Sequence, residues 1–330
     1  MIFNFNVYTR IVMCFKFISI IILLSSVISV SSCKKNHETS SVVRIGIQPS
    51  AAFIPLYIAR DKGFIEDALA PKKIDVVWQD FESGPPMNES LAADMTDIGV
   101  IGDVPTVIAL SNSTPMKLVG IPARGANAYA LLASGNNTAF SSSKDLKTKK
   151  IATVFGSTGH NFTTLLLKKY GLTFSDIEFI NISAKEAESS LTSGLADAVV
   201  IWEPNITRLV ANSTAKIIAY GSETPLKGTN GFVCREEFLE TNRDTVAVIL
   251  NEYEKAASLI PELDEGTLAK IAAKFQVSGE QIKSISNIYD FSVSITNEDI
   301  ESLQDTISFL VDIGNLTKPY NIESKIEYLK

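Results

Sequence analysis

A short polar segment near the middle of the chain carries the residues best suited to binding chemistry. It reads Gly156-Ser157-Thr158-Gly159-His160-Asn161, between an apolar strand-like run at 151–155 and a helix-like stretch from Phe162 to Tyr170. Glycines allow a ligand to approach the backbone, hydroxyls donate hydrogen bonds, and the amino end of a helix attracts negative charge. The segment predicts a site for a sulfonate, phosphate or carboxylate. In the alternative interpretation, Ser157 or Thr158 only caps the helix and His160 is a surface group.

Three other predicted strand ends carry polar or aromatic residues that could share this site. Gln48-Pro49-Ser50 and Gly102-Asp103 follow strands in the first half of the chain, and Trp202-Glu203 follows one in the second half. Because open α/β sheets bind ligands beyond the carboxyl ends of their strands, we expect these loops to converge on one cleft. Asp103 also suits a cap for the helix at Val104-Pro105, and Trp202 suits either an apolar wall or a buried interface.

Residues for catalysis or metal binding are sparse. Cys234 has no histidine near it in sequence to act as a base, the histidines are His37 and His160, and no metal-ligand spacing occurs. The sequence therefore predicts a protein that is not an enzyme and that binds neither a metal nor a cofactor.

The elements that must position these loops alternate between strand and helix in two successive sets. A βαβαβ pattern extends from Val43 to Ile101, and the same order restarts at Lys150. An internal echo supports this, since Ser90, Leu91, Asp97 and Ile101 recur as Ser190, Leu191, Asp197 and Ile201. At 330 residues the chain suits two α/β lobes.

After Asp244 the pattern becomes helical. Apolar residues recur at helical spacing, Ser278 and Gln281 have the spacing of a capping box, and Gly314 suits a helix end. These helices are predicted to pack against one of the lobes.

The amino-terminal segment has the order of a secretory signal. Arg10 and Lys16 precede an uncharged apolar run from Phe17 to Val30, which is shorter than the ~20 residues of a spanning helix and ends in Ser31-Ser32-Cys33. Residues 1–32 are interpreted as a lipoprotein signal, Cys33 as the lipid attachment site, and 33–41 as a flexible tether. An ordinary signal peptide with an incidental cysteine is the alternative.

Removing this segment affects both the cysteine count and the net charge. Only Cys234 would remain as a free thiol, so no disulfide framework is predicted. Loss of the two positive charges of Arg10 and Lys16 takes the formal net charge from −7 to −9. Such an acidic chain is not expected to bind nucleic acid, and binding of a small anion must depend on local dipoles.

Several motifs together resemble periplasmic aliphatic sulfonate-binding proteins, within the wider nitrate, sulfonate, taurine and bicarbonate class of ABC-importer binding proteins. The resemblance covers roughly Val43 to Ile260. The motifs are Gly84-Pro85-Pro86-Met87, Asp97-Ile98-Gly99, Gly102-Asp103-Val104-Pro105, residues 157–161, Ile201-Trp202-Glu203-Pro204 and Thr229-Asn230-Gly231-Phe232. Glu203 and Asn205 depart from the aspartate and tyrosine of the sulfonate pattern, and the loop from Pro122 to Asn127 is unlike it.

The resemblance implies a two-lobed, type II periplasmic-binding-protein fold. Residues 42–132 would form the first part of lobe 1, 133–226 lobe 2, and 227–330 the return to lobe 1 with the C-terminal helices. Hinge strands are expected near Leu131–Ser134 and Leu226–Val233. An ABC permease and ATPase are the implied partners of an exported, lipid-anchored monomer.

The expected site follows from these motifs. Ser157 and Thr158 hold an anionic head group, Gln48 and Asn230 contact it from the other lobe, and Trp202 lies beside the tail. Gly102, Asp103, His160 and Glu203 complete the predicted set. Three other interpretations stay open: a binding protein for a thiamine-precursor pyrimidine, with Glu203 and Asp103 as partners; an enzyme that uses Cys234 or Glu203; and a tethered sensor domain.

Overall fold

The computed structural model describes residues 41–137 and 140–329. The predicted signal segment at 1–32, the lipid attachment at Cys33 and the tether up to residue 40 lie outside the described residues. Ser41, predicted as the end of the tether, is the first residue of a strand. Among the helices of the described part, none combines the length and the apolar character needed to span a membrane.

The first sheet defines lobe 1 and has five strands in the order β2-β1-β3-β10-β4. Four of them (β1, β2, β3 and β4) run in the same direction, while β10 is antiparallel to both of its neighbours, β3 and β4. The strands are β1 (Ser41–Ile47), β2 (Ile74–Asp80), β3 (Ile98–Ile101), β4 (Met116–Gly120) and β10 (Gly231–Arg235).

The second sheet defines lobe 2 and repeats this arrangement with the order β7-β6-β8-β5-β9. Here β5 is the antiparallel strand, between β8 and β9. The strands are β5 (Tyr129–Ser134), β6 (Lys150–Thr153), β7 (Glu178–Asn181), β8 (Ala198–Trp202) and β9 (Ala215–Tyr220). The predicted two-lobed α/β fold is confirmed.

Eleven α-helices are described among residues 41–137 and 140–329. In chain order they are α1 (Ile54–Lys62), α2 (Phe64–Leu69), α3 (Gly84–Ala92), α4 (Asp103–Ser111), α5 (Thr158–Lys169), α6 (Ala187–Thr192), α7 (Asn205–Ala211), α8 (Glu236–Ser258), α9 (Glu265–Phe275), α10 (Gly279–Ser286) and α11 (Asn297–Asp312). One core of lobe 1 packs α1, α2, α8, α9 and α10 on the sheet, and the other packs α3, α4 and α11.

The internal echo has a structural counterpart in the two lobes. The Asp97 carboxylate accepts a hydrogen bond from the Arg44 amide at 2.8 Å, and the Asp197 carboxylate accepts one from the Lys150 amide at 2.9 Å. Each aspartate therefore joins the turn before β3 or β8 to the neighbouring parallel strand. The recurrence at Asp97 and Asp197 reflects this shared turn.

The chain crosses between the lobes earlier than the predicted boundary at 132. That boundary and the expected hinge at Leu131–Ser134 fall inside β5, which pairs with strands of lobe 2 along its length. The first connection therefore lies between Gly120 and Tyr129, and the second lies between Tyr220 and Gly231. A strand buried on both faces is a continuous apolar run, so its sequence gives no sign of where the crossing occurs.

The C-terminal helices pack as predicted against lobe 1. Leu303, Ile307 and Leu310 of α11 share a core with Val104 and Val107 of α4. The capping box of Ser278 and Gln281 begins α10, and Gly314 has a φ of +76° just after α11. Through these contacts α11 supports α4, the helix that follows β3 and whose N-terminus faces the cleft.

Candidate functional site

A narrow cavity, about 20 Å³ in itself and about 300 Å³ with the open space at its mouth, lies between the two lobes at the carboxyl ends of the strands. Its lining side chains are all uncharged. They are Gln48, Ser50, Gly84, Gly102, Pro105, Tyr129, Ser157, Thr158, Trp202 and Asn230. Six of the predicted residues are thus brought together here: Gln48, Gly102, Ser157, Thr158, Trp202 and Asn230.

Three helix N-termini meet at this cavity. Gly84 is the first residue of α3, Gly102 is the N-cap of α4, and Thr158 is the first residue of α5. The first amides of a helix have no acceptor within the helix, and the aligned peptide dipoles place partial positive charge there. The cavity therefore favours an anion without a basic side chain in its lining.

Ser157 is the N-cap of α5 and also lines the cavity. Its hydroxyl donates to the Val154 carbonyl at 2.7 Å and accepts from the His160 amide at 3.4 Å. Gly156 precedes it with a φ of +70°, a left-handed conformation that glycine adopts at little cost. The helix consequently begins at Thr158, four residues before the predicted start at Phe162. Since the single proton of the Ser157 hydroxyl is already donated, Thr158 is the better placed of these two hydroxyls to contact a ligand.

Replacing Ser157 should therefore affect stability more than binding. For Ser157→Ala we expect a loss of about 1 kcal/mol in the free energy of unfolding, because the cap of α5 is lost. Urea denaturation followed by circular dichroism measures this value. Ser308→Ala is the matched control, an exposed serine within α11 whose loss should change stability by less than about 0.5 kcal/mol. Equal stability of Ser157→Ala and wild type would contradict the capping role.

Thr158 contacts lobe 1 closely. A Cβ atom on Gly102 would overlap its hydroxyl oxygen, so the absence of a side chain at Gly102 lets α5 approach the end of β3. The Thr158 hydroxyl also lies within hydrogen-bonding reach of Tyr129 and of Asp103. Nearby, the Ala51 amide of lobe 1 donates to the Glu203 carbonyl of lobe 2 at 3.0 Å. The two lobes are therefore in direct contact around the cavity.

Asp103 lies behind the cavity lining. It is the first residue of α4, its side chain accepts from the Val104 amide at 2.6 Å and from Asn161 Nδ2 at 3.0 Å, and it is 2% exposed. Burial raises the pKa of Asp103, against the opposing effect of hydrogen bonds from Thr158 and Asn161. The structure thus places Asp103 at the contact between the lobes and not among the cavity-lining residues.

His160 points away from the cavity into an aromatic cluster. Its ring stacks on Phe179 with centroids 5.0 Å apart, lies 4.6 Å from the Phe155 ring, and meets Phe174 edge-on. Burial lowers the pKa of His160 to about 4, so the ring is neutral at physiological pH. A neutral ring within this cluster holds α5 against lobe 2 and does not reach the cavity.

Trp202 and Glu203, adjacent in sequence, have different environments. Trp202 ends β8, is almost fully buried and forms part of the cavity wall. The Glu203 carboxylate instead accepts from the amide of Thr207 at 3.0 Å and from its hydroxyl at 2.9 Å. Burial raises the pKa of Glu203, which does not line the cavity.

The two predicted amides from lobe 1 differ in how firmly they are held. Gln48 Nε2 donates only a long hydrogen bond of 3.4 Å to the Val100 carbonyl. Asn230 Nδ2 donates to the carbonyls of Ala123 at 3.1 Å and Gly228 at 3.0 Å. Gln48 is therefore the amide that can turn its donor to a ligand, while Asn230 fixes the second connection between the lobes.

Sequence reasoning missed four residues of the lining. Gly84 belongs to a resemblance motif, and Ser50 and Pro105 lie in loops that the sequence indicates as polar strand ends, but the sequence predicts a role for none of them. Tyr129 had no such signal, because it begins β5 and is indistinguishable in sequence from an ordinary strand residue. Its hydroxyl reaches Thr158 and Asn230 across the cavity.

The described residues hold no group of three or more His, Cys, Asp and Glu side chains that could bind a metal ion. Cys234 lies in the middle of the first sheet, fully buried, and burial raises the pKa of its thiol. Neither Cys234 nor Glu203 reaches the cavity.

This architecture, with two lobes of matching topology and a binding cavity between them, defines the periplasmic-binding-protein class. The chain belongs to the NMT1/THI5-like family, whose model matches residues 50–262. A Bacillus subtilis (strain 168) protein that carries the name of an aliphatic sulfonates-binding protein is 29% identical over 316 residues, which cover 93% of this chain and 94% of that protein.

Two further comparisons point the same way. The taurine-binding periplasmic protein of Escherichia coli (strain K12) is 26% identical over 52% of this chain and 53% of its own length. The alkanesulfonate-binding protein SsuA from Xanthomonas axonopodis pv. citri, solved bound to MOPS, has a TM-score of 0.79 at 23% identity and covers 87% of this chain and 98% of its own. This structural likeness concerns the fold.

Proposed function

We propose that the chain is the substrate-binding component of an ABC importer and captures a small anion, an aliphatic sulfonate, between its two lobes. The observation that carries this proposal is the uncharged cavity at which the N-termini of α3, α4 and α5 meet. The names of the relatives from Bacillus subtilis and Escherichia coli support the choice of sulfonate within the anions that such a cavity suits.

In this proposal the head group lies among neutral donors. Backbone amides at the helix ends, the Thr158 hydroxyl and the Gln48 amide replace the water shell of the anion, and Trp202 contacts the aliphatic tail. Ser157 contributes by fixing the first turn of α5. Ligand binding favours the state in which the lobes are in contact, because the donors come from both of them.

The partners and location follow from the proposed class. A membrane permease and an ATPase would receive the ligand from a monomeric binding protein. Cleavage before Cys33 and acylation of its sulfur would tether the protein to the outer side of the membrane. The name of the periplasmic taurine-binding relative from Escherichia coli supports an exported location. Mass spectrometry of the protein from membranes tests the acylation.

Calorimetric titration tests the ligand class. We expect heat of binding with short alkanesulfonates or taurine, and little or none with sulfate, nitrate or a thiamine-precursor pyrimidine. Replacing Gln48 by alanine should weaken sulfonate binding by about 1 to 3 kcal/mol, because a hydrogen bond to a charged group is lost.

Gln79→Ala is the matched control for this variant. Gln79 lies on β2 and donates to the Met95 carbonyl at 2.9 Å, outside the cavity lining, so its replacement should leave affinity unchanged. Absence of binding across all the sulfonates would contradict the proposed ligand, and binding of the pyrimidine alone would replace it. Neither Asp103 nor Glu203, the expected partners of a pyrimidine, lines the cavity.

A further inference from the structure

The buried carboxyl of Asp103 lies where three helices meet. It begins α4 of lobe 1, contacts Thr158 and Asn161 of α5 in lobe 2, and is reached by Thr306 of α11. Together with the Val104 amide these groups are its hydrogen-bonding partners, and all of them are uncharged. A carboxylate removed from water without a cationic partner is strongly disfavoured relative to its neutral form.

The position of this carboxyl matters because Thr158 lies between it and the cavity. The Thr158 hydroxyl has one proton to donate. If Asp103 is ionised, it accepts that proton, and the lone pairs of the Thr158 oxygen remain for the cavity. If Asp103 is neutral, its own proton can go to the Thr158 oxygen, and the threonine proton is free to meet an anion.

We propose that capture of the anion is coupled to uptake of one proton by the Asp103 carboxyl, which faces lobe 2 in its neutral form when the lobes close. The proton comes from solvent and returns there when the lobes separate. This inference rests on the proposed function and extends it, because it makes the protonation of one residue a condition of tight binding.

The other ionisable groups around Asp103 do not account for such coupling. Burial lowers the pKa of His160 on α5 to about 4, and burial raises the pKa of Tyr129 on β5, so both stay neutral near neutral pH. The other charged groups near Asp103 line a neighbouring cavity of about 300 Å³, which Asp103 and Asn161 also border. They are Lys168 of α5, Lys227 of the second connection, and Asp305 and Asp312 of α11.

The direction of the pH dependence follows from the two states. Separation of the lobes would expose the Asp103 side chain to water, so its pKa would return toward the usual value for an aspartate. In the closed form burial raises the pKa of Asp103. The closed complex therefore holds more protons than the open protein, and affinity is greatest at low pH. It should fall by up to about tenfold per pH unit between the pKa of Asp103 in the open form and its raised pKa in the closed form.

Titration calorimetry with ethanesulfonate between about pH 5.5 and 8.5 tests this coupling. For wild type we expect affinity to fall as pH rises, and the heat to vary with the ionisation enthalpy of the buffer because a proton is taken up. Asp103→Asn should bind with an affinity independent of pH and without buffer-dependent heat. Asn161 can rotate to accommodate it, since its buried Oδ1 has no partner among residues 41–137 and 140–329.

Two control variants separate Asp103 from other carboxyl groups. Asp305→Asn makes the same change in charge at an exposed position on α11, and Glu203→Gln removes the second buried carboxyl near the cleft. Both should retain the wild-type pH dependence. Wild-type binding of ethanesulfonate that is independent of pH and buffer would overturn the coupling alone, as would an Asp103→Asn variant with unchanged pH dependence. Absence of ethanesulfonate binding at every pH would overturn the sulfonate function, and the coupling with it.

Discussion

Gly102→Ala is expected to weaken anion capture by roughly 5- to 150-fold, which corresponds to about 1 to 3 kcal/mol of overpacking. A Cβ atom at this position would overlap the Thr158 hydroxyl of the opposite lobe. The strain arises only when the lobes are in contact, so the penalty falls on the closed, ligand-bound state. Gly102 has φ −67° and ψ 175°, which alanine also adopts, so the isolated lobe should fold normally.

Calorimetric titration measures the affinity for the anion, and thermal unfolding without ligand shows whether the variant folds normally. Gly266→Ala is the matched control, because Gly266 lies in the first turn of α9 and its nearest contact for a Cβ atom is Asp264 Oδ1 at 3.3 Å. That variant should bind the anion as wild type does. Unchanged affinity of Gly102→Ala would show that bound ligand does not require the observed approach of α5 to β3.

Arg124→Ala is expected to lower the free energy of unfolding by about 3 to 5 kcal/mol. Arg124 donates to both oxygens of Asp299, at 2.5 and 2.6 Å, and also to the Ser292 carbonyl at 2.9 Å. Since Asp299 is 2% exposed, removal of the guanidinium leaves a buried carboxylate without its cation. The variant should also loosen α11 from the first connection between the lobes.

The pH dependence of this loss follows from Asp299. Burial alone would raise the pKa of Asp299, but hydrogen bonds from Arg124 and Thr296 outweigh it and lower that pKa. The stabilisation is therefore fully present above the unfolded pKa of about 4 and is lost as pH falls toward the lowered folded value. The difference between wild type and Arg124→Ala should be largest near neutral pH and shrink in acid.

Urea denaturation at several pH values measures both effects. Arg60→Ala is the control, because the Arg60–Asp80 pair at 2.9 Å is much more exposed than the Arg124–Asp299 pair and should contribute less than about 1 kcal/mol. A loss at Arg124 no larger than that at Arg60 would contradict the role assigned to the buried pair.

The Arg124 contact also shows where sequence reasoning stopped. Asp290 and Asp299 lie more than 160 residues further along the chain, with separations of 166 and 175 from Arg124. No local pattern links residues so far apart. The loop from Pro122 to Asn127 was recognised only as unlike the sulfonate pattern, although it anchors the C-terminal helices.

The direction of its side chain decides whether a predicted site residue lines the cavity. Trp202 and Glu203 are neighbours at the end of β8, but successive residues point to different surroundings, and only Trp202 reaches the cavity. His160 lies one turn into α5, where the helix turns its ring toward Phe155 and Phe179. Glu203 and His160 each lie next to a loop that lines the cavity, but proximity in sequence does not determine the direction of a side chain.

The sequence by itself determined the two-lobed α/β fold, the repeat between lobes and the loops that meet at the cleft. It could do so because strand and helix periodicity, capping residues and glycine turns are local properties. Only the tertiary structure decided that Ser157 donates its proton to Val154, that Tyr129 lines the cavity and that Asp103 bridges the lobes. These features arise when helices from two lobes come within hydrogen-bonding distance, and spacing along one chain does not encode that approach.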